Sequence, residues 1–364
     1  YMPKNVLFLV TGMTPQIITE TVWALACDPN NAEPWIPDEI HVLSTEDGLT
    51  QIRSRLFSEK EGKKFAQFQQ DYPILQKIAF DDDIHYLHVI TDKNGNILKD
   101  LKTPADNERA ANLICQKVRE FTEQDDINLH VSIAGGRKTM GFYAGYALSL
   151  YGRSQDRMSH VLVEERYESA RDFFYPTPQD NVYVTNKDGI ELKAKDATIW
   201  LANIPFVRMR FSINQDDIIA NKDFSTVVEM INLSLQPIQL TLDGKRKTVA
   251  IQDKTCKLTP KEFSLYLLAA QLKHKDETLY YPSKDIDGDN IGEAHQKLFN
   301  QIHGKYKTKD DVVVDEQYMR SSLTSMKKKF IKEFGKSIAE KIAIQSVDNG
   351  YSINLPLAQI TLNA

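Results

Sequence analysis

Short apolar runs alternate with amphipathic segments through the first half of this chain, and this alternation restricts its fold more than any other feature. Five runs have the length and composition of buried strands, namely residues 5–10, 39–44, 84–90, 127–133 and 158–163. Between them, Ile18, Val22 and Leu25 share one helical face, and residues 140–150 form an apolar helix. The alternation predicts an α/β fold with a mainly parallel, Rossmann-like sheet.

The pattern changes after the fifth run. Residues 181–185 and 189–192 flank an Asn-Lys-Asp-Gly turn and predict a hairpin added to the sheet, and residues 199–211 predict a further strand. We therefore place a first domain at residues 2–212 and a connector at residues 213–238.

Residues 239–364 have the pattern of a second domain. Thr259 is a natural cap, and Pro260 occupies the first position of the helix that follows. Three helices are predicted, over residues 259–272, 292–306 and 315–334. A hairpin follows, with strands at 342–346 and 351–355 around an Asp-Asn-Gly turn. Three helices followed by a hairpin predict a winged helix-turn-helix domain.

Composition limits the partners and the compartment. The net charge of −5 over 364 residues argues against a uniformly basic nucleic-acid coat. Three cysteines without a CxxC pair support neither a disulfide framework nor a thiolate zinc site. Nowhere do about 18 apolar residues run together, as a membrane span requires. We expect a cytoplasmic protein without a membrane partner.

Two segments look like anion-binding loops, because each follows a predicted strand and opens a predicted helix. The first is Thr11-Gly12-Met13-Thr14-Pro15-Gln16, in which Gly12 permits a tight turn and Thr14 is expected to cap the helix that Pro15 begins. The second runs from Ser132 to Thr139. Its paired glycines admit a phosphate to the backbone, and Arg137 and Lys138 supply charge.

Known phosphate motifs do not account for the second loop. On the P-loop pattern, Ser132 and Arg137 stand where glycines are required, and a GxGxxG fingerprint is absent. ATP hydrolysis by a P-loop and nicotinamide or flavin chemistry are therefore disfavoured. The alternative is that Gly135-Gly136 is only a strand-to-helix turn beside solvated cations.

Both loops lie within longer segments that resemble a known family. VTGMTPQIITETVWAL and HVSIAGGRKTMGFYAGYALSLYGRSQDRMSHVLV resemble the CRISPR-associated CARF-domain family, whose members include ring nucleases; the resemblance covers roughly residues 4–165. It implies a Rossmann-like domain that forms a homodimer and binds cyclic oligoadenylate made by type III CRISPR complexes in antiviral defence. Twofold symmetry suits an even-membered ring, so cyclic tetra-adenylate is favoured.

The resemblance also implies a reaction, because some members cleave the ring without metal or cofactor. Attack by a ribose 2′-hydroxyl would need positioning and charge stabilisation, for which we expect Thr11, Ser132, Arg137 and Lys138. Further ligand contacts are expected from the two loops and the end of the second strand, at Gly12, Met13, Thr14, Gln16, Ser44, Thr45, Glu46, Ala134, Gly135, Gly136, Thr139 and Met140. Thr139 is also expected to cap its helix. The alternative is a DNA-binding transcription regulator that responds to the ring without cleaving it.

No metal site is expected from the sequence. His85 and His88 lie three apart in a predicted strand, so they face opposite sides and should not chelate one ion. Asp285, Asp287 and Asp289 begin like an EF-hand loop, but Asn290 stands at the glycine position.

The second domain resembles the winged-helix DNA-binding domain of response regulators, through LTPKEFSLYLLAAQ, SSLTSMKKKFIKEFG and IQSVDNGYSINL. The resemblance implies contact with double-stranded DNA by the third helix, through Arg320, Ser321, Thr324, Ser325, Lys327 and Lys328. Two features depart from that family: serine and lysine stand at 325 and 327 where it has arginine, and Asp348 in the wing would repel phosphate. A solvated helix face or a protein partner is the alternative.

Overall fold

A computed structural model describes residues 2–213, 216, 223–279, 291–303, 314–348 and 350–363. The chain divides into two compact units, residues 1–212 and residues 213–364. The segment expected to be a connector, 213–238, is counted with the second unit, to whose core it contributes Leu233 and Ile238. The acidic segment at Asp285 lies outside the described residues, as do 304–306 of the predicted second helix.

The first unit is built on a six-stranded sheet of order β3-β2-β1-β4-β5-β8. Its strands are β1 (Lys4–Val10), β2 (Glu39–Ser44), β3 (Leu87–Val89), β4 (Ile127–Ser132), β5 (Arg157–Val163) and β8 (Ile199–Asn203). All neighbouring pairs are parallel except β5 with β8. The predicted α/β fold with a mainly parallel, Rossmann-like sheet is confirmed.

Helices connect these strands, as the alternating pattern predicted. They are α1 (Gln16–Ala26), α2 (Glu46–Ile52), α3 (Lys64–Asp71), α4 (Pro104–Thr122), α5 (Lys138–Tyr151) and α6 (Glu165–Glu168). β1 lies in the middle of the sheet, and its residues from Val6 to Val10 are almost completely buried. A parallel strand that is buried on both faces requires such a continuous apolar run.

Several local predictions for this unit were wrong. The strand expected over 84–90 comprises only Leu87–Val89. The hairpin, β6 (Tyr183–Thr185) with β7 (Glu191–Lys193), forms a separate two-stranded sheet and does not extend the main one. The strand expected over 199–211 ends at Asn203.

The second unit combines a mixed sheet, five helices and a hairpin within its described residues. Its sheet has the order β11-β10-β9-β14, from β9 (Leu240–Asp243), β10 (Thr248–Ile251), β11 (Lys254–Lys257) and β14 (Ile360–Asn363). The helices are α7 (Phe224–Leu235), α8 (Pro260–His274), α9 (Ile291–His303), α10 (Glu316–Phe334) and α11 (Lys336–Ile342). The hairpin pairs β12 (Ile344–Val347) with β13 (Gly350–Ile353).

The start of α8 follows the prediction closely. The Thr259 hydroxyl accepts from the Glu262 backbone N–H, and the Glu262 carboxylate accepts from the Thr259 backbone N–H, with Pro260 at the first helical position.

α11 and β14 were not predicted. Within the described residues, no helix of either unit has the length and apolar character needed to cross a membrane.

Candidate functional site

A pocket of about 540 Å³ lies at the carboxyl ends of the central strands. In an open parallel sheet this edge is where ligands bind. Its described lining combines the loops after β1, β2 and β4 with the segment before α4: Thr11, Gly12, Met13, Thr14, Thr45, Asp47, Asp100, Leu101, Gly135, Gly136, Arg137 and Met140. The two loops singled out from the sequence therefore do meet.

The two loops are in direct backbone contact. A Cβ atom on Gly12 would lie 2.8 Å from the Gly136 Cα, closer than side chains tolerate. The first loop is also fixed to β2, because the Thr11 N–H donates to the Leu43 carbonyl at 3.1 Å and the Ser44 hydroxyl donates to the Thr11 carbonyl at 2.8 Å. Glycine at position 12 thus allows the two halves of the pocket to form one surface.

Gly135 and Gly136 both adopt left-handed backbone conformations, with φ of 90° and 76°. Other residues rarely take such angles without strain. A Cβ atom on Gly135 would also lie 2.5 Å from the Ile17 Cδ1 atom. The backbone of this turn therefore requires glycine at both positions, and the turn lines the pocket.

Two helices begin at the pocket without a side-chain cap. α1 follows Pro15 and α5 follows Arg137, and neither cap residue makes a side-chain hydrogen bond to the first turn. The caps expected from Thr14 and Thr139 are therefore wrong; the Thr139 hydroxyl instead donates to the Asn107 side chain at 2.9 Å. Uncapped first turns leave N–H groups and a positive dipole for an anion.

The second strand ends differently, because Thr45 caps α2 by accepting from the Gly48 N–H. The next two backbone N–H groups, of Glu46 and Asp47, donate to the carbonyls of Leu98 and Lys99. The start of α2 is therefore satisfied by the protein itself, unlike the starts of α1 and α5.

Charge in the pocket is mixed. The Arg137 guanidinium donates to the Asp100 carboxylate at 2.8 Å, and this hydrogen bond holds the pKa of Asp100 below its ordinary value. Asp47 lines the same pocket, whereas Lys138 and Thr139 are exposed at the start of α5 and do not line it. An anionic ligand would therefore compete with Asp100 for Arg137.

Two hydroxyl groups beneath the pocket are buried without a hydrogen-bond partner among the described residues: Thr11 Oγ1 and Ser132 Oγ. A buried hydroxyl without a partner costs free energy, which a ligand or an ordered water would recover. Thr11 lines the pocket, whereas Ser132 is fully buried and does not. A contact between Ser132 and a ligand would require its surroundings to open.

Other expected ligand residues do not line the pocket in this structure. The Gln16 amide donates to the Arg171 carbonyl at 2.7 Å, and Glu46 pairs with Arg53 at 3.1 Å. Ser44 and Ala134 are buried under the loops. Their side chains position the loops and are not directed at the pocket.

Sequence reasoning missed Asp47, Asp100 and Leu101. Asp47 lies three residues past the end of β2, so the rule that ligands bind at carboxyl ends of strands would have included it. Asp100 and Leu101 lie in a long segment between β3 and α4, where no local pattern marks them.

The six residues expected at DNA differ in their surroundings. Lys327, Lys328 and Thr324 are exposed on α10, while Arg320 pairs with Glu316 on the same helix. The Ser325 hydroxyl, however, donates to Glu262 at 2.6 Å, and the Ser321 hydroxyl donates to the Tyr318 carbonyl. Five of the six residues are therefore exposed on α10, and only Ser325 is partly buried.

Histidines form a cluster at the opposite end of β2. His85 precedes β3 and is not part of it, so the alternation argument placed it wrongly. His41 lies between the two histidines: its Nδ1 is 3.0 Å from His88 Nε2, and its ring centroid is 5.3 Å from that of His85. His85 and His88 thus approach one residue, His41, from different sides.

The fold and the pocket define an α/β protein of Rossmann-like topology with a pocket at the carboxyl edge of its sheet. Over residues 14–237 the chain matches the family described as CRISPR-associated protein NE0113, and it belongs to that family. No curated protein matches the chain.

Proposed function

We propose that this chain binds a cyclic oligoadenylate, with cyclic tetra-adenylate as the first ring to test, and cleaves it. The observation that carries the proposal is the convergence of two uncapped helix starts, two left-handed glycines and Arg137 on one pocket. Such a surface suits phosphate groups. Membership of a CRISPR-associated family supports a ligand that belongs to CRISPR defence.

The proposal includes a homodimer, because a twofold axis would offer the same pocket to opposite phosphates of one ring. α5 starts at the pocket and carries Phe142, whose side chain is 63% exposed and stacks on Tyr146. An exposed aromatic side chain next to the loop suits a face that a second copy covers. Phe142→Asp should shift the protein to monomer in sedimentation, and a dimer that persists would contradict this face.

Cleavage would proceed within the ligand. The ribose 2′-hydroxyl loses its proton to solvent and its oxygen attacks the adjacent phosphorus. The bond from phosphorus to the 5′-oxygen breaks, and that oxygen takes a proton from solvent. The product is a linear chain with a 2′,3′-cyclic phosphate at one end and a 5′-hydroxyl at the other. Among the described residues lining the pocket none is a histidine, so positioning and charge stabilisation are the expected contributions of the protein. Thr11 would orient the ribose, and Arg137 with Lys138 would face the charge that develops on phosphorus. Ser132 would contribute only if the pocket opens around it.

The test is chromatography of cyclic tri-, tetra- and hexa-adenylate after incubation with pure protein, with and without EDTA. We expect a linear product in both conditions and a loss of at least tenfold in rate for Arg137→Ala and Lys138→Ala. Lys195→Ala is the control, because Lys195 pairs with Asp180 and does not line the pocket. Intact rings after hours, together with unchanged ring binding by Arg137→Ala, would overturn the proposal.

A second function is favoured by the exposed lysines of α10: ring-dependent binding of double-stranded DNA by the second unit, acting as a winged helix. Lys327 and Lys328 would contact phosphates, so retention of DNA should weaken as salt rises. Electrophoretic retention of random DNA with and without the ring tests this. If the protein is a regulator that does not cleave the ring, the ring should be recovered intact after the assay. If no salt-sensitive binding of DNA is seen, ring-dependent DNA binding is excluded.

A further inference from the structure

The amino end of β2 carries a group of side chains with the chemistry of a metal site. Glu39 and His41 are two residues apart on one strand and therefore share a face of the sheet. His85 comes from the turn before the neighbouring strand β3. One potential ligand atom from each residue, a carboxylate oxygen of Glu39 and a ring nitrogen each of His41 and His85, lies within 4.8 Å of the other two.

The separations approach those of a metal's ligands. His41 Nε2 is 3.0 Å from Glu39 Oε2, and His85 Nε2 is 4.0 Å from the same oxygen. Ligands of a tetrahedral zinc ion stand about 3.3 Å apart, given metal–ligand distances near 2.0–2.2 Å. His41 is buried and fixed, whereas the side chain of His85 is 61% exposed and can move inward. A small rotation of the exposed His85 side chain would therefore bring the three ligand atoms to the separations that a metal ion requires.

Outer contacts already orient two of the three ligands. When His41 Nε2 binds a metal, its proton resides on Nδ1, and that N–H faces His88 Nε2 at 3.0 Å. The Lys4 ammonium holds the other oxygen of Glu39, Oε1, at 2.6 Å and leaves Oε2 toward the histidines. Metal-binding histidines and carboxylates are commonly oriented by such second partners.

The donor atoms of this group are also of the kinds that a divalent transition metal takes. Neutral imidazole nitrogen and carboxylate oxygen are ligands of Zn²⁺ and its neighbours among the divalent transition metals. Because His41 Nε2 lies 3.0 Å from a Glu39 carboxylate oxygen, its proton must move to Nδ1 when Nε2 binds the metal.

We propose that Glu39, His41 and His85 bind a divalent transition metal ion, Zn²⁺ first, which joins β2 to the turn preceding β3. Three protein ligands leave a fourth position for water or another donor. This site lies at the amino end of β2 and is separate from the pocket at its carboxyl end. It is independent of the proposed ring cleavage.

The test uses untagged full-length protein that has been treated with EDTA and returned to metal-free buffer. We expect one Zn²⁺ per chain by titration calorimetry, a rise in melting temperature on adding ZnCl₂, and tetrahedral visible absorption bands on adding Co²⁺. His85→Asn should weaken Zn²⁺ binding at least tenfold and remove the rise. Because His85 is exposed, this variant should melt at the wild-type temperature without metal.

His274→Asn is the matched control, since His274 is exposed in the other unit; it should bind Zn²⁺ as the wild type does. Glu39→Gln provides a second variant, expected to lose the cobalt bands while the protein remains folded. Two results would overturn the site: no stoichiometric Zn²⁺ on the wild type, or unchanged binding by His85→Asn.

Discussion

The Arg137 guanidinium donates to the Asp100 carboxylate at 2.8 Å, and both residues line the pocket at the carboxyl ends of the central strands. Both side chains are about half exposed, so the pair is worth less than about 1 kcal/mol. Asp100→Asn should nevertheless release Arg137 and remove a negative charge that faces the ligand. We expect cyclic tetra-adenylate to bind about two- to fivefold more tightly in titration calorimetry.

Asp180→Asn is the control for that measurement, because Asp180 pairs with Lys195 outside the pocket. It should leave the affinity unchanged. Weaker binding by Asp100→Asn would mean that the carboxylate orients Arg137 for the ligand and does not compete with it.

Gly12 offers a test of the contact between the two loops. A Cβ at this position would lie 2.8 Å from the Gly136 Cα, so Gly12→Ala must push the loops apart. We expect a loss of about 2 kcal/mol in the free energy of unfolding by urea, and weaker ring binding as well. Gly141→Ala, where the nearest atom is 3.7 Å away, should be neutral or slightly stabilising. Equal effects of the two changes would exclude a steric origin.

Glu20 on α1 should make stability depend on pH. Burial, with a smaller contribution from Glu168, raises its pKa from 4.5 to about 8. Between these values the unfolded chain loses a proton that the folded chain keeps, so the free energy of unfolding falls as pH rises from about 4.5 to 8. Glu20→Gln should remove this decline and be more stable than the wild type at pH 8 by at least about 1 kcal/mol.

The measurement is urea unfolding at several pH values, with Glu191→Gln as an exposed control. The control should keep the wild-type slope between pH 4.5 and 8. If Glu20→Gln also keeps that slope, the carboxyl group is not protonated in the folded protein.

Lys327 and Lys329 should respond differently to alanine, although they are two residues apart on α10. Lys329 binds the Glu262 carboxylate, which is nearly buried and also belongs to the capping box of α8. Lys329→Ala should cost about 1.5–3 kcal/mol of unfolding free energy, the value of a hydrogen bond to a charged group. Lys327→Ala should stay within about 0.5 kcal/mol and weaken only DNA retention. Equal stability changes would show that the Glu262 contact contributes nothing.

Elements that show a hydrophobic pattern or a local capping motif could be predicted from the sequence. Val6 to Val10 is a continuous apolar run because β1 is covered on both faces, and Thr259, Pro260 and Glu262 mark the start of α8 by local hydrogen bonding. β14 could not be recognised in this way. It pairs in parallel with β9, which lies far away in the chain, so nothing local requires it to be a strand.

The candidate site likewise contains residues that the sequence predicts and residues that it does not. Gly135, Gly136 and Arg137 follow a strand directly, and the topology of parallel sheets brings such positions to one edge. Asp100 arrives at that edge through a long segment after β3, and its partner Arg137 is 37 residues away. The predicted caps at Thr14 and Thr139 were wrong because a sequence shows which residues can cap a helix. It does not show whether the side chain makes the hydrogen bond to the first turn.

The central position of β1 has a consequence for the synthesis of this protein. Among the strands of this sheet β1 is synthesised before β2 and β4, so its edge toward β4 must wait for the segment that begins at Ile127. During that interval an apolar strand presents an unpaired edge, which is a template for aggregation. Expression in cells should therefore be limited by the rate at which the chain reaches β4, and slower translation between β2 and β4 should lower the yield of folded protein.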